Sequence, residues 1–255
     1  MKVEIISATE QDPVAAAALL IFTKHTRLQM DPSGYAEMYR KCRDDNDWMV
    51  TELDYMSKTI KSSWEFLDIT FSIQGVSRAC AQQITRTRFT PIDGDIFGSY
   101  AMQSQRVTDM SGAGFHVPED PAGTMGYEKA MFAAIEDYQQ LVDDGMKLEN
   151  ARGVLPINLQ CNLIAKYNFR MLTDLVKART SGRAQSEFQE LANQLYQSVI
   201  DMWPWAELFF RSNNDTATSL IKDINEVLAA HSDAIPEHVF NDLKTLVSKV
   251  RDQLI

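Results

Sequence analysis

The spacing of apolar residues changes several times along the chain, and each change predicts an element. Residues 3–7 read as a short strand. Asp12-Pro13 then supplies an N-cap and a first-turn proline, and the Ala- and Leu-rich run Val14 to Lys24 predicts a buried helix. After the break at Pro32-Ser33-Gly34, Met38, Tyr39, Cys42, Trp48, Met49, Leu53 and Met56 recur on one face, predicting helix from Tyr35 to Lys61. Leu67, Ile69, Phe71 and Ile73 alternate with polar residues, the period of a half-buried strand. Ser77 is placed to cap the helix that follows, on which Gln83 and Arg86 share a face. Residues 89–98 and 108–126, rich in Gly and Pro, read as long loops, and such loops in a compact domain tend to be functional or mobile.

From Tyr127 the positions Met131, Ile135, Tyr138 and Val142 recur at helical spacing, with Gly145 as the C-terminal cap. Ile157, Leu159, Cys161 and Leu163 alternate with Asn158, Gln160 and Asn162 as a second half-buried strand. Asn168 caps a helix that turns Phe169, Leu172, Leu175 and Val176 inward and ends at Arg179. Residues 184–202 form another amphipathic helix, closed by Trp203-Pro204-Trp205, a pair that reads as a core edge or subunit contact. Two more helical segments, about 215–230 and 236–254, complete the chain. The pattern predicts a mixture of strands and helices up to about residue 210 and a helical extension over 211–255.

One stretch departs from the overall charge. The 255-residue chain carries a net charge of −10, yet Arg78, Arg86, Arg88 and Arg106 stand among Gln, Ser and Thr between Ser77 and Val107. Arginine's planar fork suits phosphate or a carbonyl-rich base. Surface arginines paired with acids elsewhere would give the same composition. The acidic balance disfavours nucleic-acid surfaces, whose binding scales with neutralised phosphates, while a nucleotide in a locally basic pocket stays compatible. No apolar run approaches the roughly 18 residues of a membrane span. The first residues enter a strand without a cationic leader, and three cysteines, an odd number without paired spacing, form neither a disulfide framework nor a metal site. The expectation is a cytoplasmic protein with no metal and no membrane or nucleic-acid partner.

The order of residues goes further. Val76-Ser77-Arg78-Ala79-Cys80, Gln83, the triplet Arg86-Thr87-Arg88 and Ser104-Gln105-Arg106-Val107 resemble the defining motif of the flavin-dependent thymidylate synthases. Ala151-Arg152, Leu155-Pro156-Ile157-Asn158-Leu159, Asn168-Phe169-Arg170, Arg179 and Ala184-Gln185-Ser186-Glu187 continue in that family's register, so the resemblance covers roughly residues 1 to 207. It implies that family's α+β fold over 1–210, a small antiparallel sheet packed with helices, and a reductive C5 methylation of dUMP, with FAD as cofactor and NADPH and methylenetetrahydrofolate as co-substrates. It also implies a homotetramer whose sites form between subunits. Gln83, Arg86, Met102, Gln103, Ser104, Gln105, Arg106, Arg152 and Arg179 would hold the nucleotide, and Arg179 would be catalytic at the uracil edge. Arg86, Thr87, Arg88, Asn168, Arg170 and Asp174 would contact FAD.

Several positions depart from the family pattern. Thr87 and Arg183 stand where it has His, Val107 where it has Tyr, and Met102 where it has a polar residue. Asp174 replaces the usual Asn and is poorly suited to a pyrophosphate, and Lys61-Ser62-Ser63-Trp64-Glu65-Phe66 replaces a His-rich segment. The spacer before Ser104 is longer. Arg170 and Asp174, four apart, read equally as a surface ion pair. The nucleotide-side arginines persist while the flavin side changes. This leaves open a related C5 modification, such as UMP methylation or dUMP hydroxymethylation, and a nucleotide-binding module that has lost flavin.

Overall fold

In a computed structural model of the chain, residues 1–25, 34–59, 61–86, 98–119, 124–180 and 184–211 are described, with 224, 228, 239–240 and 243–247 beyond them. Thr87, Arg88, Arg183, most of the 89–98 loop and nearly all of the two tail segments lie outside these residues. The chain divides into two compact units, Met1–Phe209 and Phe210–Ile255. The first is α+β.

Its centre is a four-stranded antiparallel sheet in the order β1 (Lys2–Ala8), β2 (Asp68–Ser77), β4 (Gln160–Asn168), β3 (Ser99–Met102). The alternation read from the sequence sets its faces. Ile69, Phe71, Ile73 and Val76 of β2 and Cys161, Leu163, Ala165 and Tyr167 of β4 are buried on one side. Glu4, Gln74, Asn162 and Lys166 are exposed on the other. Three helices, α4 (Arg78–Arg86), α7 (Phe169–Arg179) and α8 (Ser186–Met202), pack on the sheet. The helix α1 (Pro13–His25) buries Ala16, Ala17, Ala18, Leu20 and Ile21. Asp12 starts it as expected, its Oδ1 accepting the Ala15 N–H at 2.7 Å.

Where α7 leaves β4 an aromatic knot forms. Phe169 lies 5.9 Å from both Trp203 and Trp205, 5.2 Å from Phe209 and 6.3 Å from Trp64, measured between ring centroids. The two tryptophans stack at 5.6 Å and donate from Nε1 to the carbonyls of Glu10 and Pro13. Burying such a ring contributes about 1.5–3 kcal/mol, so the tryptophan pair belongs to the core and locks the end of α8 to the start of α1.

Three sequence expectations are corrected. The helix over 35–61 is two helices, α2 (Tyr35–Asp44) and α3 (Asn46–Thr59), followed by a 3-10 segment, Lys61–Phe66. Asp45 causes the break: its N–H donates to Lys41 while its Oδ1 accepts the Trp48 N–H at 2.9 Å and caps α3. The second half-buried strand begins at Gln160, not Ile157, and runs on to Asn168. A turn closed by Leu159 N–H to Pro156 C=O precedes it and leaves Ile157 57% exposed. The loop after Thr108 ends early, because α5 (Thr124–Asp143) starts before Tyr127. Its described part is pinned to the strand entry by backbone bonds from His116 N–H to Asn158 C=O and from Gln160 N–H to Gly114 C=O. Gly145 does end α5, with φ +88° and its N–H on Val142 C=O.

A second small core, Met110, Tyr138, Ala151 and Leu159, fastens this loop to α5 and to the short helix α6 (Leu148–Ala151). It matters because Ser104–Arg106 and Arg152 hang from it. Among the described residues no helix is long and apolar enough to cross a membrane.

Candidate functional site

The antiparallel register brings three chain ends to one edge of the sheet. Ser77 at the end of β2 pairs with Gln160 at the start of β4, and Met102 at the end of β3 pairs with Leu163. Gln103 extends this ladder: its N–H donates to Asn162 C=O, and its Oε1 accepts the Asn162 N–H at 3.1 Å. Ser104, Gln105 and Arg106 follow as a tight turn, with Thr108 N–H donating to Ser104 C=O at 3.1 Å and Arg106 N–H to Ser104 Oγ at 3.3 Å. Met102 is half-buried at the strand end.

This turn has the character of an anion cradle. Gln105 is 6% exposed, and its Nε2 is buried without a hydrogen-bond partner among the described residues. An unmatched buried donor costs about 1–3 kcal/mol. Arg106 and Arg152 are brought together by an acid that the sequence reading missed. Arg106 Nη2 lies 3.4 Å from Glu149 Oε2, and Arg152 Nε donates to the Glu149 carbonyl at 3.1 Å. Both guanidiniums keep further donors for a ligand. Val107, in the place of the family's Tyr, is 78% exposed.

A second cluster forms where α4, α7 and α8 meet. Ser77 caps α4 as expected, its Oγ accepting the Cys80 N–H at 3.0 Å. Gln83 and Arg86 lie on the exposed side of α4, and Gln83 Nε2 donates to Gln185 Oε1 at 2.6 Å. Arg179 ends α7 half-buried, its guanidinium 4.9 Å above the Phe188 ring. Arg78 is at the opposite end of α4 from Arg86, so the arginines close in sequence are not one patch in space.

Two of the flavin-side candidates, Asn168 and Arg170, stand at the other end of β4, where Asn168 pairs with Asp68. Asn168 Oδ1 caps α7 by accepting the Met171 N–H at 2.9 Å. Arg170 does not pair with Asp174. It pairs with Glu65 of the 3-10 segment, Nη1 to Oε1 at 2.6 Å. The segment that replaces the family's histidines therefore supplies an acid to this guanidinium. Arg170 Nε is buried without a hydrogen-bond partner among the described residues.

Neither of two cavities is lined by Arg86, Arg106, Arg152 or Arg179. One of about 310 Å³ lies beside Gln103, Asp109, Gln160 and Asn162. The other, about 580 Å³ along α8, is bordered by His116, Glu119, Glu187 and Glu190, an acidic lining unsuited to a phosphate. The cysteines behave as apolar core residues: all three are free and buried, and burial pushes the thiols of Cys42, Cys80 and Cys161 up. Among the described residues no group of three or more His, Cys, Asp or Glu is arranged to hold a metal ion.

The model of a known family, thymidylate synthase complementing protein, matches residues 4–205. The chain belongs to the flavin-dependent thymidylate synthases. Members of this family are methyltransferase-type enzymes. The chain is 34% identical over 211 residues to the flavin-dependent thymidylate synthase of Geobacter sulfurreducens, a match covering 80% of this chain and 84% of that one. It is 31% identical over 163 residues to the one from Halobacterium salinarum, covering 55% and 66%. A crystal structure of Thymidylate Synthase X from Helicobacter pylori with FAD and dUMP shares the fold. Its TM-score is 0.60 at 19% identity, over 83% of this chain and 100% of that one.

The family's fold explains which residues the sequence could not single out. Glu149 and Glu65 hold Arg106 and Arg170 across 43 and 105 residues, so no local spacing marks them. Glu187 was legible in principle, as an acid at four-residue spacing with the buried Leu191, Leu195 and Val199.

Proposed function

We propose that this family member converts dUMP to dTMP by flavin-dependent methylation at C5, with methylenetetrahydrofolate as carbon donor and NADPH as reductant. One observation carries the reading: the Ser104–Arg106 turn offers a buried unmatched Gln105 amide beside two arginines braced on Glu149. That combination suits the dianionic phosphate of a nucleotide. Met102 and Gln103 flank the turn, and Gln83 and Arg86 reach the nucleotide from α4. Arg179 at the uracil edge would stabilise the charge that develops on O2 and N3 and so raise electron density at C5, a preorganised electrostatic role. No cysteine nucleophile is needed, consistent with thiols held protonated by burial.

FAD is the implied cofactor, and the unmatched Arg170 Nε and the exposed end of α4 at Arg86 fit an anionic group. Arg86, Thr87, Arg88, Asn168, Arg170 and Asp174 would hold it. When bound it supplies the reducing equivalents that convert the transferred carbon to a methyl group. The chain's own share is binding, orientation and charge placement.

Within one chain Arg106 and Arg152 gather at Glu149, Gln83 meets Gln185, and Asn168 and Arg170 stand at the far end of β4. This supports a homotetramer in which different copies complete each site. Residues 1–210 would form the catalytic domain, and 211–255 an extension with a packing or oligomer-contact role. Free buried thiols fit a cytoplasmic location.

A second reading, a nucleotide-binding module without flavin, is favoured by one feature: Glu65 already holds Arg170. Visible absorption of the purified chain, before and after dUMP or UMP is added, separates the two. Flavin bands perturbed by dUMP support the synthase, and a response to UMP alone moves the assignment to the ribonucleotide. A chain that stays colourless after incubation with FAD yet binds dUMP leaves the binding module.

A further inference from the structure

Glu187, in the first turn of α8, is 2% exposed. A carboxylate that buried is tolerated only when its oxygens are bonded. Here both act as acceptors for one residue 110 positions away: Ser77 N–H donates to Oε1 at 2.7 Å and the Ser77 hydroxyl to Oε2 at 2.5 Å. Because Ser77 Oγ accepts the Cys80 N–H, its own proton is committed to Glu187. The chain of donors thus runs one way, from the first turn of α4 through Ser77 to the acid. The positive end of the helix dipole reinforces it.

A second group faces the same oxygen. His116 Nε2 lies 4.0 Å from Glu187 Oε2 and is buried without a hydrogen bond to a described residue. It belongs to the segment that follows the Ser104–Arg106 turn. The neighbours of Glu187 meet two further site residues: Gln185 accepts from Gln83, and Phe188 underlies Arg179. Three positions within one turn of α8 therefore address α4, the loop and the end of α7.

We propose that Glu187 is a positioning residue for the nucleotide side of the site, setting the placement of Gln83 and Arg86 by anchoring the start of α4 to α8. It touches no reactant itself. The proposal rests on the reading that Gln83 and Arg86 meet the nucleotide. Its test uses one readout independent of that reading and one that depends on it.

Glu187→Gln keeps the shape and removes the charge, while Ser77→Ala removes the hydroxyl arm of the same link and leaves the Ser77 N–H on Glu187. In the full chain without ligand, amide hydrogen exchange over Cys80–Arg86 accelerates about tenfold or more in each variant, while Ala16–Ile21 keeps its protection. The KM for dUMP rises about tenfold with kcat within about threefold, and the double variant is no worse than either single one. Unchanged exchange in α4 overturns the proposal. So does acceleration spread evenly over α1, α4 and α7, or a fall in kcat at constant KM, the signature of a smaller folded fraction. If the wild-type chain binds no dUMP but α4 exchange responds as stated, the nucleotide reading falls and the anchoring of α4 stands.

Discussion

Arg179 sits half-buried over an aromatic ring, where a cation–π contact contributes about 0.5–2 kcal/mol. Arg179→Ala should leave the unfolding midpoint nearly unchanged and lower kcat/KM by about 10²–10³-fold, the usual cost of removing a preorganised donor. Arg179→Lys should restore only part of this, since an ammonium lacks the planar fork. Normal turnover in the alanine variant would remove Arg179 from its role. A different consequence follows from Cys42. Burial, opposed in part by Lys41, pushes its thiol up to about 11 from an ordinary 9.0. The unfolded chain releases that proton at lower pH than the folded one. Stability from this group is therefore intact below about pH 9 and is lost as pH rises towards 11. Urea unfolding at pH 7.5 and 10.5 should show the loss, and Cys42→Ala should show a smaller difference between the two pH values.

At the scale of elements, α7 connects the two ends of the proposed chemistry, with Arg170 in its first turn and Arg179 in its last. Its start depends on Asn168, so Asn168→Ala should cost about 1 kcal/mol in denaturant unfolding; no change would mean that the aromatic knot alone fixes the helix start. Most elements were legible because their patterns are local. Asp12 and Asn168 accept the bonds expected of N-caps, Gly145 takes the left-handed backbone that lets it end α5, and β2 keeps its period of two. The misreadings arose where a local signal was ambiguous. Asp45 breaks a continuous apolar stripe without the Pro or Gly that usually marks such a break, and Ala165 is a weak marker of the far half of β4. In the site, residue identities followed from the motif, but their partners did not. The Arg170 pair went to Glu65 because an acid 105 residues away reaches the guanidinium, while Asp174 on the same helix does not.

For the whole molecule, the expectation that each site forms between subunits has a direct test. Arg86→Ala and Arg106→Ala should each be inactive alone, yet mixed subunits should recover activity if a site draws these residues from different copies. No recovery, or a monomer by light scattering, would place the whole site within one chain. The aromatic knot has a further use. Of the four tryptophans, Trp64, Trp203 and Trp205 are buried around Phe169 at the root of α7, while Trp48 lies apart on α3. Three of the four indoles therefore sit at the junction between sheet and helix. The protein carries its own optical gauge there: a shift of indole emission to longer wavelength marks water reaching the root of α7, whether or not the rest of the fold has opened.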